Sequence, residues 1–240
     1  MALRRVFVDS LDAAGTASVS GDRAHHLSRV VRLRVGETVE VSDGRQARQA
    51  QVETISPREV VFRVGERVPD APSAPAIDLY LAVIKFPRWE WALEKVTELG
   101  VRSIHPLAAD HSEVGLVQAA SKRLGRWRKI AEEAAQQSRR LGPPEVGAVI
   151  TPAEALARPA GARLPLDFEA PPLREALPAP VADSASSLAL FVGPEGGWSD
   201  AERRAWESAG LAAASLGHNV LRAETAAIAA VALIAHLLEA

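Results

Sequence analysis

The 240-residue chain contains no cysteine. A disulfide framework, thiolate catalysis and any zinc site with Cys ligands are therefore excluded. It also has no long apolar run. The most apolar stretch, Thr225 to Leu238, falls short of the roughly 20 residues that a membrane span needs. Met1 to Val8 carries Arg4 and Arg5 but too short an apolar segment for a signal-peptide core, so a cytoplasmic protein without a membrane partner is expected. An excess of basic charge is missing as well. Lys and Arg number 28 against 30 Asp and Glu, a net charge of −2, which rules out a surface coated in cations for nucleic acid. The six histidines (25, 26, 105, 111, 218 and 236) follow no metal-ligand spacing, and no metal is expected. No internal repeat is visible.

What is present is ordinary for a folded protein: 48% hydrophobic and 24% charged residues. The length allows one large domain or two modest ones. Charge is concentrated locally. Lys122, Arg123, Arg126, Arg128, Lys129, Arg139 and Arg140 crowd one stretch that holds only Glu132 and Glu133 as acids. A solvated helix face and an RNA-facing patch both fit this pattern.

The first seventy residues read as β-rich. Arg4–Val8, Thr38–Ser42, Gln46–Ile55 and Glu59–Val68 alternate apolar with polar residues, and Asp43-Gly44 is a hairpin signal. One helix is predicted over Asp22–Leu33 with Asp22 as N-cap. Pro69, Pro72 and Pro75 then mark a stiff boundary. Beyond it strands and helices alternate, as in an α/β domain with a mostly parallel sheet. Strands are expected at Ile77–Ile84, Ser103–Ala108, Leu164–Phe168, Leu188–Val192 and Ala213–Leu216. Helices are expected from Pro87 to a cap at Gly100, over Gln118–Arg140, after Ser199 with a Ser199/Glu202 capping box, and at the apolar end. Helical spacing assigns Trp89 and Trp127 to the core, while Trp198 neighbours a glycine loop.

That loop is the first candidate site. The apolar strand ending in Phe191-Val192 runs into Gly193-Pro194-Glu195-Gly196-Gly197. Glycines at such an edge let backbone approach a ligand, and open α/β sheets bind ligands there. A bare tight turn and a phosphate loop are the other readings, although neither phosphate-loop nor dinucleotide glycine spacing is present. Glu195 stands among the glycines as a possible partner for a cationic ligand. The second candidate is Leu216-Gly217, then Leu221-Arg222-Ala223-Glu224-Thr225 at the mouth of the last helix. Capping and the helix dipole explain Glu224 and Thr225. Arg222 is left unexplained.

These two motifs, in this order, resemble the SPOUT superfamily of knotted methyltransferases. Lys85, Glu94 to Val101, Ile104 to Pro106, Trp127 with Ile130 to Ala134, Gln137-Ser138-x-Arg140, and near the start Arg5 to Val8, His26, Val31 to Leu33 and Gly36 are similar to its RsmE branch. The resemblance covers nearly the whole chain. It implies a PUA-like RNA-binding β-barrel at 1–70, a linker at 71–76, and an α/β SPOUT domain with a C-terminal trefoil knot at 77–240. It further implies S-adenosylmethionine as cofactor, a homodimer, and 16S ribosomal RNA of the small subunit as substrate, methylated at N3 of a uridine. Cofactor contacts would fall on Gly193, Pro194, Glu195, Gly196, Gly197, Leu216, Gly217, Leu221, Arg222, Glu224 and Thr225, with a third loop after the strand near Leu166–Phe168. RNA contacts would fall on Arg4, Arg5, Arg32, Lys85, Arg139 and Arg140. Two departures from the usual family pattern, His111-Ser112 in place of an Arg-Ser pair and Leu141-Gly142 before a proline, lie in the expected RNA-contact region.

The absent thiol agrees with chemistry at a ring nitrogen, since methylation at C5 of a pyrimidine generally needs a covalent adduct. On this reading Arg222 stabilises the N3 anion or its neighbouring carbonyl oxygen, Glu224 orients Arg222 or the base, and Glu195 or solvent accepts the proton. Ribose 2′-O-methylation by the same fold, and a ribosome-assembly RNA-binding protein without catalysis, are the alternative functions.

Overall fold

In the computed structural model, residues 3–9, 11, 15–69, 76–176 and 187–238 are described. The chain divides into two compact units, Met1–Pro72 with Ala135–Pro143, and Ser73–Ala134 with Pro144–Ala240. Residues 135–143, left with the second domain by the sequence pattern, group with the first. Of the linker placed at 71–76, residues 71–75 lie outside the described residues, and Ala76 already opens a strand.

The first unit is a five-stranded sheet of β1 (Arg5–Phe7), β2 (Thr16–Ser20), β3 (Thr38–Ser42), β4 (Ala47–Ile55) and β5 (Glu59–Arg67), in the order β1-β3-β4-β5-β2. β1 runs parallel to β3 and the other pairs are antiparallel. Two register shifts between β4 and β5, at Arg48/Ala50 and Val52/Thr54, bend the sheet as bulges do. Val19, Val39, Val41, Val52, Val60 and Phe62 fill its inner face. β2, rich in Ser and Thr, carries only a weak apolar alternation and was not anticipated. The helix expected over Asp22–Leu33 is instead α1 (Gly21–His26), followed by a π turn at Leu27–Val31. Ser20, not Asp22, is its N-cap residue; Asp22 sits in the first turn, where a carboxylate suits the positive end of the helix. Arg32, at φ 58, ends the element.

The second unit is a parallel sheet of β6 (Ala76–Ala82), β7 (Ser103–Leu107), β8 (Glu145–Val146), β9 (Ala162–Leu166) and β10 (Ser187–Val192), ordered β8-β7-β6-β10-β9. Alternate residues of one strand face opposite sides, and both sides are covered. Leu79 and Leu81 of β6 with Leu188, Leu190 and Val192 of β10 join one core cluster. Tyr80, Ala82, Ala189 and Phe191 join the other with Trp198 and Trp206. Burial on both faces is why these strands read as unbroken apolar runs. On the first side lie α2 (Phe86–Glu98), α4 (Leu124–Gln137) and α8 (Ala223–Leu238). Trp89 of α2 and Trp127 of α4 stack there with ring centroids 3.9 Å apart.

The helix expected over Gln118–Arg140 begins earlier and is broken: α3 (Val114–Ala120), a 3-10 turn at Ser121–Arg123, then α4. The strand expected at Leu164–Phe168 lies two residues earlier, as β9. The one expected at Ala213–Leu216 reduces to two bridges, Leu166 with Ala214 and Pro172 with Ser215. α5 (Pro152–Ala157), α6 (Leu173–Ala176) and the two-residue β8 were not anticipated, whereas α7 (Asp200–Ser208) opens with the Ser199/Glu202 capping box foreseen for it.

The residues after α7 hold the most unusual feature. Ala214 donates to Pro165 O at 2.9 Å and accepts from Asp167 N at 2.9 Å; Ser215 donates to Pro171 O at 2.8 Å and accepts from Leu173 N at 2.9 Å. The loop from β9 to α6 thus grips residues 214–215 from both sides, and the final segment is threaded through it before α8 begins. Such threading is very rare among folds.

Candidate active site

The C-terminal ends of β9 and β10 and the threaded segment enclose a cavity of about 270 Å³. Three loops line it: Leu166 to Glu169 after β9, Val192 to Glu195 with Gly197 and Trp198 after β10, and Ala214 to Gly217 with Asn219 to Leu221. The glycine loop is shaped by Trp198, which is 4% exposed and donates from Nε1 to Leu166 O at 2.8 Å. A side chain at Gly193 would place its Cβ 3.0 Å from the Trp198 ring. Gly197, at φ 70, adopts the left-handed conformation that glycine tolerates best. On its outer side the loop is held by His111, whose Nδ1 lies 3.1 and 3.2 Å from the carbonyl oxygens of Gly196 and Gly197. A carbonyl only accepts, so Nδ1 carries the proton in this contact. Asp110 extends the brace, accepting from Ser199 Oγ at 2.5 Å and donating its backbone N–H to Glu202.

Of the expected contact residues, Gly193, Pro194, Glu195, Gly197, Leu216, Gly217 and Leu221 line the cavity, and the third loop joins them. Gly196, Arg222, Glu224 and Thr225 are not in the lining. Gly196 faces His111. Arg222 and Thr225 are exposed at the mouth of α8, and Arg222 has no ion-pair partner among the described residues. Glu224 turns inward and is 5% exposed. Its cationic neighbour is Arg88, with Nε 3.7 Å from Oε1, rather than Arg222. Arg88 also pairs with Glu195, and so holds two acids, one on the glycine loop and one in the first turn of α8.

Sequence reasoning passed over Arg88. The signal was a cation directly after Pro87, in the first turn of α2, where the helix dipole disfavours it. It also passed over Asp167 and Arg203, both in the cavity lining and paired with each other at 2.9 Å.

Among the residues expected to touch RNA, Arg4, Arg32 and Lys85 are exposed. Arg5 must be withdrawn. It is 6% exposed, donates from Nε and Nη2 to Glu40 Oε2 at 3.1 and 2.7 Å, and from Nη1 to Arg139 O. Its guanidinium is a structural counterion in the first unit. Arg139 shares Glu40 with it but stays partly exposed. Arg140 is half-buried, and that burial lowers its pKa from the ordinary arginine value; an arginine remains charged nonetheless. Among the described residues no group of His, Asp or Glu could hold a metal ion, and no helix is long and apolar enough to cross a membrane.

A parallel sheet with a glycine loop at its strand ends, a terminal segment threaded through a neighbouring loop, and a separate curled β-unit define the knotted class of RNA methyltransferases. Residues 71–235 match the model of the RNA methyltransferase domain, and residues 19–65 that of the RNA methyltransferase PUA domain. The chain belongs to the ribosomal RNA small subunit methyltransferase E family. It is 36% identical to the Mycobacterium tuberculosis member over 93% of this chain and 88% of that protein. It is 31% identical to the Bacillus subtilis member, over 99% and 98%. The crystal structure of the Neisseria gonorrhoeae enzyme bound to S-adenosyl methionine superposes with a TM-score of 0.85 at 29% identity, covering 98% of each chain.

Proposed function

We propose that this protein transfers a methyl group from S-adenosylmethionine to N3 of a uridine in 16S ribosomal RNA of the small subunit, and that it does so as a cytoplasmic homodimer. The observation that carries this reading is the convergence of three loops on one cavity at the ends of β9 and β10, in a chain of this family. The residues fit the cofactor. Gly193, whose Cβ position is taken by the Trp198 ring, and Gly197, with open space at its own, bring bare backbone to the cavity wall. Leu166, Val192, Leu216 and Leu221 offer apolar wall to an adenine ring, while Asp167 and Glu195 offer carboxylates to hydroxyl or cationic groups. One oxygen of Glu224, Oε2, is buried without a hydrogen bond, a deficit that a donor group would relieve.

Bound S-adenosylmethionine supplies an electrophilic methyl group on a sulfonium. The rest falls to this chain. The three loops fix where the methyl is presented, which lowers the entropic part of the barrier. Arg222, exposed and without a carboxylate partner among the described residues, is free to meet the uracil carbonyl or the N3 anion as charge develops. Glu195 or solvent takes the imide proton. Arg4, Arg32, Lys85, Arg139 and Arg140 supply phosphate contacts, and the outward apolar side chains of α8, Leu233 and Leu237, suit a second copy of the chain.

The test is incubation with radiolabelled S-adenosylmethionine and small subunits that lack the modification, followed by nucleoside mass analysis. 3-Methyluridine is the expected product. A 2′-O-methylated nucleoside would overturn the target atom, and absence of cofactor binding by calorimetry would overturn the enzymatic reading.

A further inference from the structure

We infer that Arg88 is a positioning residue for the methyl transfer, acting by holding the buried Glu224 carboxylate in place; this rests on the function proposed above. Glu224 lies in the first turn of α8 and is 5% exposed. A carboxylate there ordinarily caps the helix by accepting backbone N–H groups, yet Glu224 accepts no hydrogen bond among the described residues and Oε2 is fully enclosed. Burying an ionised carboxylate costs several kcal/mol unless a counterion offsets it. Among the described residues that counterion is Arg88, at 3.7 Å. Arg88 in turn occupies a first turn whose dipole repels it, and is kept there by Glu195 on the glycine loop. Each group alone is poorly placed; the three together are matched. Because Glu195 belongs to the cavity's glycine loop and Glu224 to the helix entered by the threaded segment, Arg88 joins the two motifs that enclose the cofactor. A planar guanidinium can bridge two carboxylates in this way, whereas a lysine ammonium is a single point of charge.

The first test needs no ligand. In thermal melts Arg88→Gln leaves Glu224 buried and unpaired, and the midpoint falls by roughly 5 °C or more. Adding Glu224→Gln to the same chain restores most of that loss. If the two substitutions simply add, the pair does not exist and the inference fails. The second test measures donor affinity by calorimetry and single-turnover methylation of small subunits. Arg88→Gln and Glu224→Gln should each slow the chemical step by about tenfold or more, with the double variant within about twofold of Glu224→Gln alone. Arg88→Lys recovers part of the rate, and Glu195→Gln gives a loss of about threefold. Multiplying losses, or an unimpaired Arg88→Gln, would sink the idea. A wild-type protein that binds no S-adenosylmethionine would refute the function instead, and the ligand-free melts would still judge the pair.

Discussion

Each unit of the molecule contains a cluster of three charged side chains, with opposite stoichiometry. In the first, one acid sits between two arginines: Glu40, 3% exposed, accepts from Arg5 and Arg139 through both of its oxygens. In the second, one arginine sits between two acids, and the match is incomplete, since Glu195 is half-exposed and Glu224 keeps an unpartnered oxygen. A buried carboxylate whose two oxygens both accept from arginines has little capacity for a ligand. It fixes strand β3 to β1 and to the segment after α4. A network with an unmet acceptor beside a cavity has that capacity. Satisfaction of the hydrogen-bonding groups, rather than charge, separates the structural cluster from the functional one.

The comparison can be broken most forcefully at Glu40. Glu40→Ala strands the buried Arg5, at a cost of about 3–5 kcal/mol, and should lower the thermal midpoint by about 10 °C. Affinity for S-adenosylmethionine, measured well below that midpoint, should stay within about twofold. A midpoint drop under about 3 °C would mean that the cluster is not structural. Arg222→Ala probes the other side: single-turnover methylation should fall by about ten- to a hundredfold, with melting and donor affinity unchanged. Unimpaired turnover would remove Arg222 from the mechanism.

Gly193→Ala is expected to act more gently. Its new Cβ would press on the Trp198 ring at 3.0 Å, and because Trp198 is tied to Leu166 O, the loop must yield. Donor affinity should drop by about tenfold, read by calorimetry; unchanged affinity would place the cofactor elsewhere.

The smallest effect concerns a buried group outside both clusters. His105, 4% exposed, stacks on Tyr80 and lies 3.2 Å from Arg158 Nη1. Burial first, and the Arg158 charge second, lower its pKa from 6.5. The unfolded chain therefore binds a proton near that pH when the folded chain does not. Stability falls as pH drops through about 6.5 and keeps falling until the folded imidazole protonates. Urea midpoints at pH 7.5 and 5.5 should show this slope, and His105→Gln should flatten it. An unchanged slope would assign the effect to other groups.

Much of the fold could be read along the chain. Thr38–Ser42 and the core of Leu188–Val192 are short apolar strands whose period is local information. Where reading failed, the deciding force was not local. The Ser- and Thr-rich β2 is a strand because β5 pairs with it. The expected long helix breaks at Ser121–Arg123 with no Pro or Gly there to announce it. α5 was overlooked although Thr151 and Glu154 form a capping box, a signal hidden in a Pro- and Ala-rich stretch.

The site divides along the same line. By itself the sequence determined the glycine loop, the Leu216-Gly217 turn and the polar mouth of α8, because glycine spacing and helix-start chemistry are written over a few consecutive residues. Only the tertiary structure decided that Ala214 and Ser215 pass through the loop between Leu166 and Leu173. It alone removed Arg5 from the RNA-facing set and gave Glu224 to Arg88 instead of Arg222. Partners of this kind are distant in sequence, Arg5 from Arg139 and Arg88 from Glu224, and no periodicity records a contact that exists only after the chain has closed on itself.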